Sequence, residues 1–231
     1  MENQQDYILN NNQIQVILTG TFSDGYISIG KSGNSYYSTN SIHKEYLIYK
    51  GLLLGDLHYG NISKRINGGY KKDIIYSTHS QYSKSITVLN NKSIEEKLSL
   101  MDELGVALWF YDDGSLHAKH HFYNLCTHSF SREIQEDLFI PFFKNFGITC
   151  RTYKEEKKDG RIFYYLYISR YDGSVEVSKL LRKYYVKCFD YKMWSSETIL
   201  KWSKVQAYLK SQDRVITPRL IGDYMKKKIV L

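Results

Sequence analysis

Proline and cysteine are both scarce in this chain of 231 residues. The two prolines, Pro141 and Pro218, are too few for a flexible proline-rich linker. The three cysteines, Cys126, Cys150 and Cys188, lie far apart and show no Cys-x-x-Cys spacing. This pattern argues against a disulfide framework and a structural zinc site, and it favours reduced thiols in an intracellular protein.

Long apolar runs and a signal sequence are absent as well. No run approaches the roughly 18 apolar residues that a membrane span needs. The sequence begins Met-Glu-Asn-Gln-Gln-Asp, without a basic region or an apolar signal core. We therefore expect a soluble protein of the cytoplasm or of an organelle matrix, with no membrane partner.

Basic residues outnumber acidic ones. Lys and Arg total 32 against 24 Asp and Glu, which gives a net charge of +8 and a pI near 9.1. This balance favours a polyanionic partner, nucleic acid before an anionic membrane, although an inert basic surface would give the same composition. The 22 tyrosines suit half-buried sheet surfaces, and tyrosine also stacks on or hydrogen-bonds to nucleotides.

One apolar stretch ends in an electrostatically unfavourable way. Residues 104–111 are almost entirely apolar or small, which predicts two buried turns of helix. Asp112 and Asp113 follow, although the partial negative charge of a helix C-terminus disfavours anions. Gly114 comes next, and we expect it to supply a left-handed helix cap. An ordinary helix end explains the glycine, whereas a bound divalent cation would also explain the two carboxylates.

A second Asp-Gly pair, Asp24-Gly25, follows an earlier helical pattern of apolar residues. After each pair the sequence predicts two strands, a helix, a two-stranded hairpin and a further helix. The spacing agrees, because 19 positions separate Asp24 from a predicted helix start at His43, and 18 separate Asp113 from one at Ser131. We predict an α+β fold with a duplicated αββαββα unit, in halves 1–90 and 91–194 with a helical C-terminal extension at 195–231.

Four local expectations complete the prediction of structure. Residues 1–12 are predicted to be a loose arm and residues 90–98 a polar connector. Asn67-Gly68-Gly69 is predicted to be the turn of the first hairpin. Asp56 also follows an apolar helix, but the second half has no counterpart, so we interpret it as a surface residue.

Taken together, these motifs resemble those of the LAGLIDADG homing endonucleases, over about residues 13–194. The second motif, Trp109-Phe110-Tyr111-Asp112-Asp113-Gly114, is similar to that of a single-chain subgroup whose motif reads Trp-Phe-x-Asp-Asp-Gly. Flanking signatures also match, at His43-Lys44-Glu45-Tyr46-Leu47, Thr127-His128-Ser129-Phe130 and Tyr191-Lys192. The first motif departs from the family pattern because it is polar at Thr19, Thr21 and Ser23.

The resemblance implies a pseudo-twofold fold in which two antiparallel sheets form a DNA-binding saddle. It implies that the motif helices pack together, with Gly20 and Ala107 allowing close approach, and that Asp24 and Asp113 share Mg²⁺ or Mn²⁺. Asp112 is then a supporting carboxylate. Such metals activate water and stabilise the attacking and leaving oxygens of a scissile phosphate.

The resemblance also implies catalytic roles for Lys92 and Lys192, which would orient water or offset phosphate charge. The sheets would lie in the major groove of double-stranded DNA, over a site of roughly 20 base pairs. The candidate DNA-binding residues are Lys31, Lys64, Arg65, Lys71, Lys72, Lys119, Arg151, Lys154, Arg161 and Arg170.

The function that this implies is a monomeric, site-specific homing endonuclease that makes a metal-dependent staggered double-strand break. An alternative on the same fold is an RNA maturase that assists splicing of its own group I intron. A transcription factor with an idle nuclease site is a third possibility, and the presence of both Asp24 and Asp113 argues against it. Several histidines, among them His117, His120 and His121, suggest a zinc or His-Asn-His site, but they lack the required spacing.

Overall fold

The computed structural model describes residues 8–66, 73–169, 172–212, 217, 220 and 223–225. The predicted turn at residues 67–69 and the candidates Lys71, Lys72 and Arg170 lie outside this part of the chain. By their contacts the residues divide into two units. Unit 1 comprises residues 1–113 and 184–188, and unit 2 comprises residues 114–183 and 189–231.

Unit 1 contains a four-stranded antiparallel sheet, sheet A, with the strand order β1-β2-β4-β3. Its elements in chain order are α1 (Asn11–Phe22), β1 (Gly25–Ile29), β2 (Ser35–Ser41), α2 (Lys44–Leu54), a 3-10 turn (Gly55–Leu57), β3 (His58–Ile66), β4 (Ile74–Ser80), α3 (Lys84–Asn90), α4 (Ile94–Leu100) and α5 (Glu103–Asp113).

Unit 2 contains sheet B, also four-stranded and antiparallel, with the strand order β5-β6-β8-β7. Its elements are β5 (Gly114–His117), β6 (Phe122–Leu125), α6 (Arg132–Ile134), a π-helical turn (Gln135–Phe139), α7 (Ile140–Lys144), β7 (Cys150–Glu156), β8 (Ile162–Ile168), α8 (Asp172–Lys183), a 3-10 segment (Lys187–Lys192) and α9 (Ser196–Ser211). The two sheets share one topology, and the predicted α+β fold class is confirmed.

Of the two segments predicted to be irregular, the connector contains a helix and the arm contributes only its last two residues to α1, and in both a side chain caps the helix. α1 begins at Asn11 because the Asn10 side chain accepts a hydrogen bond from the Gln13 backbone N–H, while Gln13 Oε1 accepts one from Asn10 N. α4 lies in the predicted polar connector, where Ser93 and Glu96 form the same reciprocal capping box. Each arrangement satisfies backbone donors that a helix N-terminus otherwise leaves without partners.

The core of unit 1 is built around α1 and α5, which pack against each other. Val16, Ile17 and Leu18 of α1 are fully buried, and residues 104–111 of α5 are buried throughout. The rings of Phe22 and Trp109 stack with their centroids 4.9 Å apart. Residues 15–20 and 104–111 are all buried, so the two helices form the interior of their unit.

The prediction that Gly20 allows the two motif helices to approach is wrong. A Cβ on Gly20 would clash with the Tyr37 ring of β2 rather than with α5. The close approach between the helices occurs at Gly105, where a Cβ would lie 2.5 Å from Gln15 Oε1. Thr19 Oγ1 donates a hydrogen bond to the Gly105 carbonyl at 3.0 Å. The polar residues of the first motif therefore make specific contacts within the helix pair.

The predicted C-terminal extension forms part of the core of unit 2. Trp202, Val205 and Leu209 of α9 are buried in one cluster with Val175 of α8 and Trp194. The chain beyond the duplicated elements therefore completes an apolar core. No helix among the described residues has both the length and the apolar character of a membrane span.

Candidate functional site

Each Asp-Gly pair lies where a motif helix passes directly into a strand. α1 ends at Phe22 and β1 begins at Gly25, and α5 ends at Asp113 and β5 begins at Gly114. Neither glycine has a positive φ, so the predicted left-handed cap at Gly114 is wrong. Gly25 is required by packing, because a Cβ there would lie 2.6 Å from Gly20 Cα.

Asp112 is the centre of a buried hydrogen-bonded cluster. Lys50 Nζ, from the middle of α2, lies 2.9 Å from both carboxylate oxygens of Asp112. The Tyr46 hydroxyl donates to Oδ1 at 2.7 Å, and the Ser23 hydroxyl donates to Oδ2 at 2.7 Å. The side chains of Lys50 and Asp112 are 0% and 2% exposed. The cluster therefore joins α2 and α5 to the residue that caps the C-terminus of α1.

The electrostatic surroundings keep the donors of this cluster protonated. Burial lowers the pKa of Lys50, but the charge of Asp112, the Tyr37 hydroxyl and the hydrogen bonds to both together outweigh this effect, so the pKa of Lys50 is raised overall. Burial and the same carboxylate raise the pKa of Tyr46 well above its ordinary value. The ammonium also lies 4.7 Å from the centroid of the Tyr46 ring, which adds a cation–π contact. Lys50 is therefore a charged group, and Tyr46 is a neutral hydrogen-bond donor.

The contacts of this cluster give the adjacent carboxylates of Asp112 and Asp113 different roles. Both oxygens of Asp112 are engaged by protein donors, so Asp112 is a structural residue and not a candidate metal ligand. Asp113, the next residue, is half-buried, and Asp24, which follows Ser23, is exposed. The cluster thus fixes the residue immediately before each predicted ligand. Asp24 and Asp113 both belong to unit 1 and follow helices that pack on each other.

The two predicted catalytic lysines lie in different local settings. Lys92 is about one-third exposed, just before α4, where Lys92 Nζ lies 3.3 Å from Glu96 Oε1. Lys192 in unit 2 is buried, and Lys192 Nζ lies 4.9 Å from the centroid of the Phe189 ring. Lys192 is therefore not an ordinary surface lysine.

The described residues do not form an alternative metal centre. Within the part of the chain that the structure describes, no three His, Cys, Asp or Glu side chains are grouped as a metal centre would require. Asp56 lies in the 3-10 turn after α2 and is exposed, and its carboxylate accepts a hydrogen bond from Gln13 Nε2 at 2.7 Å. This position agrees with its interpretation as a surface residue at a helix end.

The register of the strands shows on which face of its sheet each candidate DNA-binding residue lies. The alternation of residues in the sequence alone did not show this. In sheet A, Arg65 pairs with Ile75, on the face opposite the buried Thr78 and Ser80. We call this face the outer face. The neighbouring Lys64 points to the other side, because successive strand residues alternate.

Sheet B shows the same division. Arg151 pairs with Tyr167, whose neighbours Leu166 and Ile168 are buried, so Arg151 lies on the outer face. Lys154 pairs with Tyr164, on the face of sheet B that carries Leu166.

The remaining described candidates lie at strand ends and turns. Lys31 and Lys119 are exposed in the β1–β2 and β5–β6 connections. Arg161 is exposed before β8, and its guanidinium lies 2.7 Å from the Asp159 carboxylate. These positions are accessible to a large anionic ligand.

Sequence reasoning did not identify Lys50, Tyr46 or Ser23 as members of the site. Tyr46 was noted only as part of a family signature, and Ser23 only as a departure from one. A signal for Lys50 exists in retrospect, because it occupies a position in α2 between the buried Leu47 and the buried Leu54. Nothing in the sequence indicates which carboxylate it pairs with.

Comparisons with known proteins identify a family and similar folds. The model of the LAGLIDADG DNA endonuclease family matches residues 15–174. The structure of the homing endonuclease I-WcaI bound to its DNA recognition sequence is similar, with a TM-score of 0.65 and 20% identity, over 81% of this chain and 88% of that chain.

Two more distant structural matches were also found. I-DmoI in complex with DNA and Mn has a TM-score of 0.46 and 14% identity, over 75% of this chain and 96% of that one. The N-terminal LAGLIDADG domain of DUF199/WhiA has a TM-score of 0.47 and 15% identity, over 84% and 88%. A comparison with curated proteins found no match.

The Lys50–Asp112 pair predicts a large effect on stability. Lys50→Met should lower the free energy of unfolding by about 3–5 kcal/mol, because it leaves a buried carboxylate without its counter-ion. The double variant Lys50→Met/Asp112→Leu should recover most of that loss, because it removes both charges together. Urea unfolding followed by circular dichroism measures both. A Lys50→Met protein as stable as the parent would show that the buried pair is not formed.

Proposed function

Because the chain belongs to the LAGLIDADG DNA endonuclease family, we propose that it is a site-specific homing endonuclease that makes a metal-dependent staggered double-strand break in a long DNA target. Its Trp109–Gly114 motif supports placement in the single-chain subgroup of that family. The observation that carries the proposal is the pair of carboxylates, Asp24 and Asp113, at the ends of two motif helices that pack together, while Lys50 neutralises Asp112.

Asp24 and Asp113 have the donor chemistry that a hard divalent cation requires. Mg²⁺ binds through one or two carboxylates and completes its shell with water and phosphate oxygens, so two aspartates are a sufficient protein contribution. Mn²⁺ takes similar oxygen ligands. When bound, such a cation would lower the pKa of a water molecule and stabilise the leaving oxygen of the scissile phosphate.

The protein residues around these carboxylates supply position and charge. The cluster of Lys50, Tyr46 and Ser23 holds Asp112, and this fixes the backbone on which Asp113 is carried. With Asp112 paired to Lys50, Asp24 and Asp113 are the two carboxylates that we propose as metal ligands. Lys92 and Lys192 are proposed to orient water or to offset charge that develops on the phosphate.

Binding is proposed to use the outer faces of the two sheets in the major groove of double-stranded DNA. The net charge of +8 would attract the phosphate backbone, and outer-face side chains would read base edges. We propose that the protein acts as a monomer, because both predicted ligands belong to one chain.

Nuclease and maturase activities can be separated with two substrates. The purified protein with Mg²⁺ should linearise a plasmid that carries its target, where the target is the junction that an intervening intron would interrupt. No cleavage of that plasmid, together with faster splicing of the intron RNA, would assign the protein to the maturases instead.

Removing either predicted ligand should separate cleavage from binding. Asp24→Asn and Asp113→Asn should each reduce double-strand cleavage by at least about a hundredfold, because the neutral amide is a poor ligand for a divalent cation, and each should keep specific binding. A plasmid cleavage assay and a gel-shift assay measure the two properties.

Asp56→Asn is the matched control for these variants, because it also follows an apolar helix and keeps an oxygen that can accept from Gln13. It should cleave like the parent. Asp112→Asn is not a suitable control, because it would leave the buried Lys50 charge without its partner. Normal cleavage by both Asp24→Asn and Asp113→Asn would place the metal site elsewhere.

The assignment of strand faces predicts which cations contact DNA. Arg65→Gln and Arg151→Gln, on the outer faces, should each weaken specific binding by about tenfold or more. Lys64→Gln and Lys154→Gln remove the same charge from the same strands on the opposite faces, and should weaken it by less than about threefold. Fluorescence anisotropy with labelled duplex measures these affinities. Larger losses in the lysine variants would show that the other faces bind DNA.

A further inference from the structure

The outer face of sheet B carries a row of three rings and one guanidinium that crosses all four strands. His117 of β5 stacks on Phe122 of β6, with centroids 4.3 Å apart and planes inclined at 16°. Phe122 lies 4.9 Å from Tyr167 of β8, and the Arg151 guanidinium of β7 lies 5.0 Å from the centroid of the Tyr167 ring. The row is therefore continuous from one edge of the sheet to the other.

A second group of rings lies beside this row on the same face. Tyr153 of β7 and Tyr165 of β8 are cross-strand partners with centroids 5.3 Å apart. His128 lies 5.7 Å from Tyr165 and 5.5 Å from Phe163. Because each ring rests against another, the surface is held in one arrangement before any ligand binds, and little side-chain freedom is lost on binding.

Rings make up most of this surface, with the polar side chains of Asn124 and Arg151 beside them. Phe122 and Phe163 carry no hydrogen-bonding side-chain atom, and the tyrosines place one hydroxyl each at the end of a large apolar ring. The outer face of sheet A also carries rings, since Tyr36 of β2 and Tyr59 of β3 lie 6.2 Å and 5.3 Å from the His79 ring of β4. Each of these rings has a hydrogen-bonding atom, and Ser28 and Asn40 lie beside them, so the phenyl rings are the feature that distinguishes sheet B.

The C5 methyl group of thymine is the one large apolar group that a base pair presents in the major groove. A phenyl ring packed against a G·C pair would instead remove polar base atoms from water without replacing their hydrogen bonds, which is unfavourable. Rings on a sheet in the major groove therefore favour thymine over the other bases.

We propose, on the premise of the endonuclease function above, that sheet B recognises a thymine-rich half of the DNA target by packing its outer-face rings against thymine C5 methyl groups. The residues that determine this specificity are Phe122, Tyr153, Phe163, Tyr165 and Tyr167. Arg151, held over the Tyr167 ring, supplies the cation of the same surface.

Replacing thymine by deoxyuridine tests this proposal, because it removes the methyl group and leaves every base-pairing and groove hydrogen-bonding atom in place. A duplex that the full-length protein selects from a randomised library is resynthesised with each thymine replaced singly by deoxyuridine. Affinities are then measured by anisotropy in a chelating buffer. We expect two or more sensitive positions, all in one half of the duplex, each losing about threefold to fourfold in affinity.

A protein variant links the effect to sheet B. Tyr153 is about half exposed, so the Tyr153→Ser variant should fold. At one or two of the sensitive positions this variant should bind the thymine and deoxyuridine duplexes with nearly equal affinity. Ile162→Ser is the matched control, because Ile162 is equally exposed and pairs with Glu156 on the opposite face of the sheet. It should leave the affinity ratio of the thymine and deoxyuridine duplexes unchanged at every position.

Different negative results would contradict different proposals. Specific duplex binding with no loss at any deoxyuridine, or losses that Tyr153→Ser does not alter, would overturn the thymine proposal and leave the endonuclease function standing. Tighter binding of the single strands than of the duplex would also overturn it, since the rings would then be stacking on unpaired bases. Failure to select any duplex would count against the endonuclease function itself.

Discussion

The ion pair between Lys50 and Asp112 is the interaction on which the arrangement of the candidate site depends. Moving either charge out of water alone would cost several kcal/mol, so the two are stable in the interior only as a hydrogen-bonded pair. The pair draws α2 against the end of α5, and the Ser23 hydroxyl extends the same cluster to the end of α1. One buried network thus fixes three chain segments at the point where both motif helices end.

That network explains how two carboxylates can follow each other at a helix C-terminus. Asp112 opposes the helix dipole, but its charge is neutralised by an ammonium group 2.9 Å away. Asp113 can then carry negative charge for a different purpose. An uncompensated Asp112 would add a third like charge beside Asp24 and Asp113, the two carboxylates that we propose as magnesium ligands.

Much of the fold could be predicted from the sequence, because apolar periodicity and the duplicated Asp-Gly ends report directly on local structure. The helix cap at Ser93 could also have been predicted, since Ser-x-x-Glu is the sequence of a capping box. It was missed because the segment is polar. Lys50 could not be assigned, because a lysine in a helix usually reaches solvent and its partner lies 62 residues away. The faces of Arg65 and Lys64 could not be assigned either, since β3 changes register between Tyr59 and Ser63.

The central claim is that Asp24 and Asp113 together hold a divalent cation against DNA. Electron paramagnetic resonance of Mn²⁺, titrated into the protein bound to its selected duplex, tests this most directly because it detects the metal without requiring turnover. The parent complex should bind Mn²⁺ that neither Asp24→Asn nor Asp113→Asn retains, while Asp56→Asn binds it as the parent does. Equal Mn²⁺ binding by all four complexes would contradict the claim.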